Sequence, residues 1–211
     1  EFQEEQRCAA SVAGGILRIQ ELRRHRVGLT LDLSIGGRQL LDVPMRDNAL
    51  RVYLPARTYR ILRAETRSGE IEVSGSLSFD RAALRSASGD VEFRAAVRNE
   101  LRIHTASGDI EVKHAAPERM QLESASGDVE LSGCGASSVT VRTSSGDVEF
   151  ADCDETALDI RTASGDIDGR FSVPRAVSAS SVSGEIDVPR SGSGAPCVLH
   201  TVSGDIDVCV K

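Results

Sequence analysis

The sequence predicts an all-β, single-domain parallel β-helix, a solenoid with rungs of 19–20 residues. Three observations carry this reading. Ser-Gly followed by an acid recurs at Gly69, Gly89, Gly108, Gly127, Gly146, Gly165, Gly184 and Gly204, at intervals of 20, 19, 19, 19, 19, 19 and 20 residues. Apolar and polar residues alternate on both sides of each Gly, the period-two signature of half-buried strands. Aromatic residues make up only 3% of the chain and Trp is absent, which suits thin, regular layers filled by Val, Ile, Leu and Ala.

Alignment on the Gly gives the elements in order. Seven and five positions before it stand apolar columns, Leu62 to Cys197 and Ala64 to Leu199. They form the first strand. Three before it stands a hydroxyl column, Thr66, Ser86, Thr105, Ser124, Thr143, Thr162, Ser181 and Thr201, of inward parity and close to the corner. Stacked hydroxyls there bond along the ladder or to corner backbone groups. The recurring Gly is expected at positive φ, turning the chain at little steric cost. Two positions after it stands Ile or Val from Ile71 to Ile206, and four after it Val73 to Val208, interrupted by Gly169. These form the second strand, and a looser return of about six residues completes the unit. Such a unit cannot bury its apolar face alone, so coils stack. Hexapeptide helices fit poorly because 19 is not a multiple of six. Calcium-binding nonapeptide rolls need two Gly-rich turns per coil, and leucine-rich repeats an Asn ladder.

The whole of residues 1–211 reads as one solenoid domain of about ten rungs. Residues 50–211 are the regular rungs, and residues 1–49 read as degenerate first coils and a cap. Ile16, Leu17 and Ile19 suggest one strand there, and Val27, Leu29, Leu31, Leu33 and Ile35 another. The basic run at 22–26 reads as a solvated face.

Charge is strongly polarised. Directly after each Gly stand Glu70, Asp90, Asp109, Asp128, Asp147, Asp166, Glu185 and Asp205; two residues on stand Glu72, Glu92, Glu111, Glu130, Glu149, Asp168, Asp187 and Asp207. Both columns point outward. Sixteen of the 32 acids thus lie on one strip, leaving 16 acids against 25 Lys and Arg elsewhere. The net charge of −7 conceals a strip of −16 on a body of +9. Like charges stacked about 5 Å apart repel by about 1 kcal/mol per neighbour near a surface. Three things offset this: Asp capping of corner amides, neutralisation by Arg94, Lys113 and Arg170 on the same face, or cations bound by the strip. The cation reading takes Ca²⁺ on Asp90, Glu92, Asp109, Glu111, Asp128, Glu130, Asp147, Glu149, Asp166 and Asp168. A regular acid strip also docks a polycationic surface.

Enzyme chemistry is thin. His25, His104, His114 and His200 fall at scattered phases without zinc spacing, and four rungs separate His104 from His200. Ser occupies repeat positions, so no Ser stands out as a nucleophile. The rung with Gly169, Arg170 and Phe171 breaks the pattern and reads as a bulge or loop. Cys134 and Cys153 fall on vertically adjacent rungs, where either a disulfide or two small buried residues fits. No cofactor is expected. Net negative charge argues against nucleic acid. No stretch of about 18 apolar residues offers a transmembrane segment, and no signal peptide is visible. Glu1 is not an initiator Met, so upstream residues are expected to have been removed.

Val52-Tyr53-Leu54-Pro55 leads into Thr66-Arg67-Ser68-Gly69-Glu70-Ile71-Glu72-Val73, and units such as Thr105-Ala106-Ser107-Gly108-Asp109-Ile110-Glu111-Val112 follow. Over about residues 50–211 this array resembles a bacterial domain family of unknown function that carries an adhesin label. The resemblance implies a parallel β-helix, usually right-handed, in proteins often tied to the cell envelope, and no catalytic residue. The resulting expectation is a non-catalytic, extracytoplasmic or envelope-associated interaction module, adhesin-like, meeting a protein or glycan surface or itself. The alternatives are a carbohydrate-active β-helix enzyme, marked by a locally widened groove, and an inert spacer or assembly scaffold.

Overall fold

Alternation on either side of each Ser-Gly corner gives every repeat two strands, and the corner sends them to different sheets. The computed structural model describes residues 57–153, 156–189 and 192–211 in full, and between residues 8 and 50 the backbone of five strands. Those five are β1 (Cys8–Ala13), β2 (Ile16–Glu21), β3 (Thr30–Ser34) and the short pair β4 (Met45–Arg46) and β5 (Ala49–Leu50). Eight coils of two strands follow. They are β6 (Thr58–Thr66) with β7 (Ile71–Val73), β8 (Ser78–Ser86) with β9 (Val91–Phe93), β10 (Ala96–Thr105) with β11 (Ile110–Lys113), and β12 (Arg119–Ser124) with β13 (Val129–Ser132). Then come β14 (Ser138–Arg142) with β15 (Val148–Ala151), β16 (Ala157–Arg161) with β17 (Ile167–Phe171), β18 (Val177–Ser180) with β19 (Ile186–Asp187), and β20 (Cys197–His200) with β21 (Ile206–Val210).

The fold class is a parallel β-solenoid, as expected. The first strands of the coils lie in an 11-stranded sheet, and the second strands in an 8-stranded sheet. Neighbouring coils pair in parallel with like residues in register, for example Leu122 beside Val141 and Val129 beside Val148. The inward columns meet between the sheets, and from Leu62 to Val208 they are almost completely buried in every coil but the Gly184 one. The described residues form eight coils, against the expected ten or so. β1, β2 and β3 are not strands of degenerate coils: they extend the longer sheet as antiparallel strands, with β3 against β6. The basic run at 22–26 lies outside the described residues.

The corner is tighter than its sequence suggested. Its glycines do not need positive φ; among the described residues that region holds Gly133, Gly194, His114 and Asp152. Gly is required because the corners stack in near contact. A Cβ on Gly127 would fall on the carbonyl oxygen of Gly108, and the same holds for each corner glycine from Gly89 to Gly204 against its neighbour. The hydroxyl column closes the turn from inside. The N–H of Gly89, Gly108, Gly127, Gly146 and Gly165 donates to the hydroxyl oxygen three residues earlier at 2.7–3.1 Å.

Gly169 is not a bulge. β17 keeps register with β15 and β21, and the missing side chain makes room for the ring of Phe150. Phe171 is buried two residues on, 5.2 Å from Phe150 between ring centroids.

The last two coils are stacked out of chain order. The longer sheet ends β16-β20-β18 and the shorter one begins β19-β21-β17, so residues 197–210 slot between the Gly165 coil and the Gly184 coil. Ile186, in the inward column, is consequently 43% exposed at the end of the stack, whereas Ile206 is buried. Arg175 holds the crossing. Its side chain is buried, its guanidinium donates to the carbonyls of Cys153 (2.9 Å), Thr156 (2.7 Å) and Ala195 (2.5 Å), and it lies over the Phe171 ring. A buried guanidinium without a carboxylate is tolerable because carbonyls satisfy most of its donors.

Two outcomes follow from this geometry. Cysteines placed at Asp159 and Val198, which are register partners, should cross-link on oxidation, whereas cysteines at Asp159 and Ser178 should not; peptide mapping reads both. A chain stacked in sequence order gives the reverse. Gly127→Ala should lower unfolding free energy by about 3 kcal/mol in a urea melt, while Ser126→Ala at the exposed neighbouring position changes it by under about 0.5 kcal/mol.

Candidate functional site

Period-two alternation puts both acid columns on the outer side of the shorter sheet, but the structure gives them different work. In the first column six aspartates each cap the next corner. The N–H of Asp109 donates to Asp90 Oδ1 (2.9 Å), Asp128 to Asp109 (2.9 Å), Asp147 to Asp128 (2.8 Å) and Asp166 to Asp147 (2.8 Å). The ladder continues in spatial order, Asp205 to Asp166 (2.8 Å) and Glu185 to Asp205 (2.7 Å). These charge-assisted bonds offset the repulsion of the stack. The ladder explains the second glutamate of this column. Glu185 stands in the outermost coil, where no further corner amide arrives. Asp205 is interior although it comes later in the chain, so the Asp/Glu choice was a signal of coil order already present in the sequence.

The second column has no such duty. Glu72, Glu92, Glu111, Glu130, Glu149, Asp168, Asp207 and Asp187 are register partners in that spatial order. Arg94 pairs with Glu92 and reaches Glu111 at 3.7 Å, and Lys113 pairs with Glu111. Arg170, also expected to neutralise the strip, engages no acid among the described residues. From Glu130 through Glu149, Asp168 and Asp207 to Asp187 no cation pairs with the column among the described residues. Asp168 lies at the middle of this bare run. Partial burial, then the neighbouring charges of Asp207, Asp166, Glu149 and Asp147, raise its carboxyl above the ordinary value of 3.8.

The calcium reading finds no assembled site. Among the described residues no group of three or more His, Cys, Asp or Glu stands where it could hold a metal ion. Asp90, Asp109, Asp128, Asp147 and Asp166 each give an oxygen to a corner amide, and Glu92, Glu111, Glu130, Glu149 and Asp168 point outward in a line.

The opposite face is basic. Strands β6 to β16 carry nine exposed arginines, Arg60, Arg63, Arg81, Arg85, Arg98, Arg102, Arg119, Arg142 and Arg161, against five acids. His104 and His200 lie on this face, separated by three coils rather than four because of the changed order. His104 approaches Glu123 (3.4 Å) and His200 meets Ser180 (2.8 Å). Cys134 and Cys153 are buried, free thiols on neighbouring coils, and Cys197 is buried with its thiol pushed up to about 11 by desolvation. Among the described residues no helix is long and apolar enough to cross a membrane.

A family model described as Toastrack DUF4097 matches residues 21–209. No curated protein and no solved structure matches the chain.

Asp168 supplies a pH test. A carboxyl raised in the folded state destabilises the fold once ionised, and the penalty is relieved as pH falls through the raised value. Asp168→Asn should therefore raise Tm near pH 7, by an amount that shrinks in high salt and vanishes as pH drops below the ordinary carboxylate value. A Tm difference independent of pH, read by thermal melts across an acid series, would contradict the assignment.

Proposed function

The chain belongs to the Toastrack DUF4097 family, and on that premise we propose that it is a non-catalytic, adhesin-like interaction module of the bacterial cell envelope. In this reading the bare run of its acid column docks a basic protein surface. The single observation that carries it is the contrast between the two columns. One is spent on corner amides; the other keeps five consecutive exposed carboxylates, at the strand spacing of about 4.8 Å, without a cation. A rigid row of unneutralised charge repels itself, and a partner bearing Lys or Arg at a matching spacing removes that penalty on binding. It also speeds encounter. A solenoid of this family fits a binding or scaffold module, because its faces are long, flat and fixed by in-register pairing.

Hydrolysis by paired carboxylates has less support. Glu65 and Glu123, the acids nearest a hollow on the basic sheet, have side chains 62% and 56% exposed and lie beside Arg85 and His104. A proton-donating carboxyl needs burial in apolar surroundings, the reverse of this setting.

The test is fluorescence anisotropy of a labelled decalysine peptide. Saturable binding at low salt is expected, weakening by more than about tenfold when Glu130, Glu149, Asp168 and Asp207 are changed to Gln or Asn. An Arg142→Gln, Arg161→Gln protein should bind at least as well as the parent. Absent binding, or equal binding by the acid variant, refutes the docking role.

A further inference from the structure

The basic sheet is not uniform. Its first three parallel strands, β6, β8 and β10, are nine or ten residues long, whereas β12 to β20 run for four to six. On this broad end an open hollow of about 650 Å³ lies over Ala83. Ala83 is the register partner of Arg63 on β6 and of Arg102 on β10. A methyl group thus floors a gap whose walls are two guanidinium stems, set about 9.6 Å apart at the Cα atoms by two strand spacings. Arg85, two residues along β8, and His104 close the next row.

Charge in the hollow is incompletely balanced. Arg102 is held by Glu100 at 2.6 Å, and His104 approaches Glu123. Arg85 reaches Glu65 only at 4.0 Å, and Arg63 has no carboxylate partner among the described residues. On the other side of Arg63 the register places Asp32, itself beside Arg18. Arg63 and Arg85 are thus loosely held, and Arg102 spends one amino group on Glu100, so all three keep N–H donors for the hollow, in the forked geometry that grips carboxylate and sulfate oxygens two at a time.

We propose that this arginine-walled hollow on β6, β8 and β10 binds the acidic groups of an anionic polysaccharide laid across the strands. The shape favours an extended ligand: the hollow is open, shallow and crosses several strands. Three further observations narrow the class. β6, β8 and β10 are paired on both sides, so a peptide cannot add as a strand and loses its main-chain contribution. Each described Phe and Tyr is buried, so among the described residues the face offers no ring on which a nucleic-acid base would stack. The same lack removes the platform for a neutral sugar, leaving acid-bearing sugars as the matching chemistry. The inference rests on the solenoid being a binding module, but not on a ligand for the acidic sheet.

The experiment is titration of the protein, by biolayer interferometry, with polygalacturonate and with dextran sulfate, using neutral dextran and an oligothymidylate as controls. At least one acidic polymer should bind and neutral dextran should not. Arg63→Gln with Arg102→Gln should weaken binding by about tenfold, whereas Arg142→Gln with Arg161→Gln, removing equal charge from the same sheet, should change it by less than about twofold. Ala83→Leu fills the floor without altering charge and should also weaken binding. Arg63→Lys with Arg102→Lys retains the charge, loses the fork and should fall between. No binding, equal losses for both glutamine pairs, an unaffected Ala83→Leu protein, or tighter binding of oligothymidylate each overturns the proposal. Decalysine binding by the same variants separates the outcomes: if it persists while the polysaccharide arm fails, only the hollow is refuted.

Discussion

The close stacking of the Ser-Gly corners is the constraint on which everything else depends. A glycine N–H is tied to the hydroxyl three residues before it, and the glycine carbonyl of the neighbouring coil occupies the place where a Cβ would be. Together these hold successive coils in one register. Register is what allows the inward columns to superimpose Val on Val and Leu on Ile, and a core built mostly of aliphatic side chains is dense only when that superposition holds. The same register puts acid above acid on the outside, so the electrostatic character of the surface is a by-product of how the corner is built.

The molecule then treats its two acid columns unequally. The aspartates nearest the corner turn a repulsive stack into a hydrogen-bonded ladder, because their short side chains reach the next amide. Their neighbours two residues on receive cations only at one end, from Arg94 and Lys113. On the other sheet the arginines cluster where the strands are longest. The body thus carries one acidic and one basic face, each fixed by in-register pairing.

The fold was legible in the sequence because eight near-identical units repeat the same demand, and each column reports its own environment. What escaped was whatever a single unit does differently. Gly169 looked like a break, but its meaning lay in Phe150 one coil away, a contact invisible without register. Arg175 went unremarked, since nothing in a local pattern distinguishes a guanidinium satisfied by carbonyls from one in water. The corner glycines were assigned the right role for the wrong reason, crowding between coils rather than backbone dihedral. The place of the last coil was recoverable in principle from Glu185 and Asp205, had the aspartate column been recognised as a chain of donors and acceptors with an open end. Of the site, the acid strip was legible residue by residue; the hollow was not, because it depends on which strands are long and on Ala83 falling between two arginines.

The exchanged order of the last coils has a mechanical consequence. In a solenoid stacked in sequence, tension on the C-terminal end peels the outermost layer and leaves the rest intact. Here the last strand, β21, lies in an inner coil, between β17, which it meets over five residues, and β19, which it meets over two. The layer that tension on it would draw out is therefore an inner one, and it cannot leave without also parting from the Gly184 coil that overlies it.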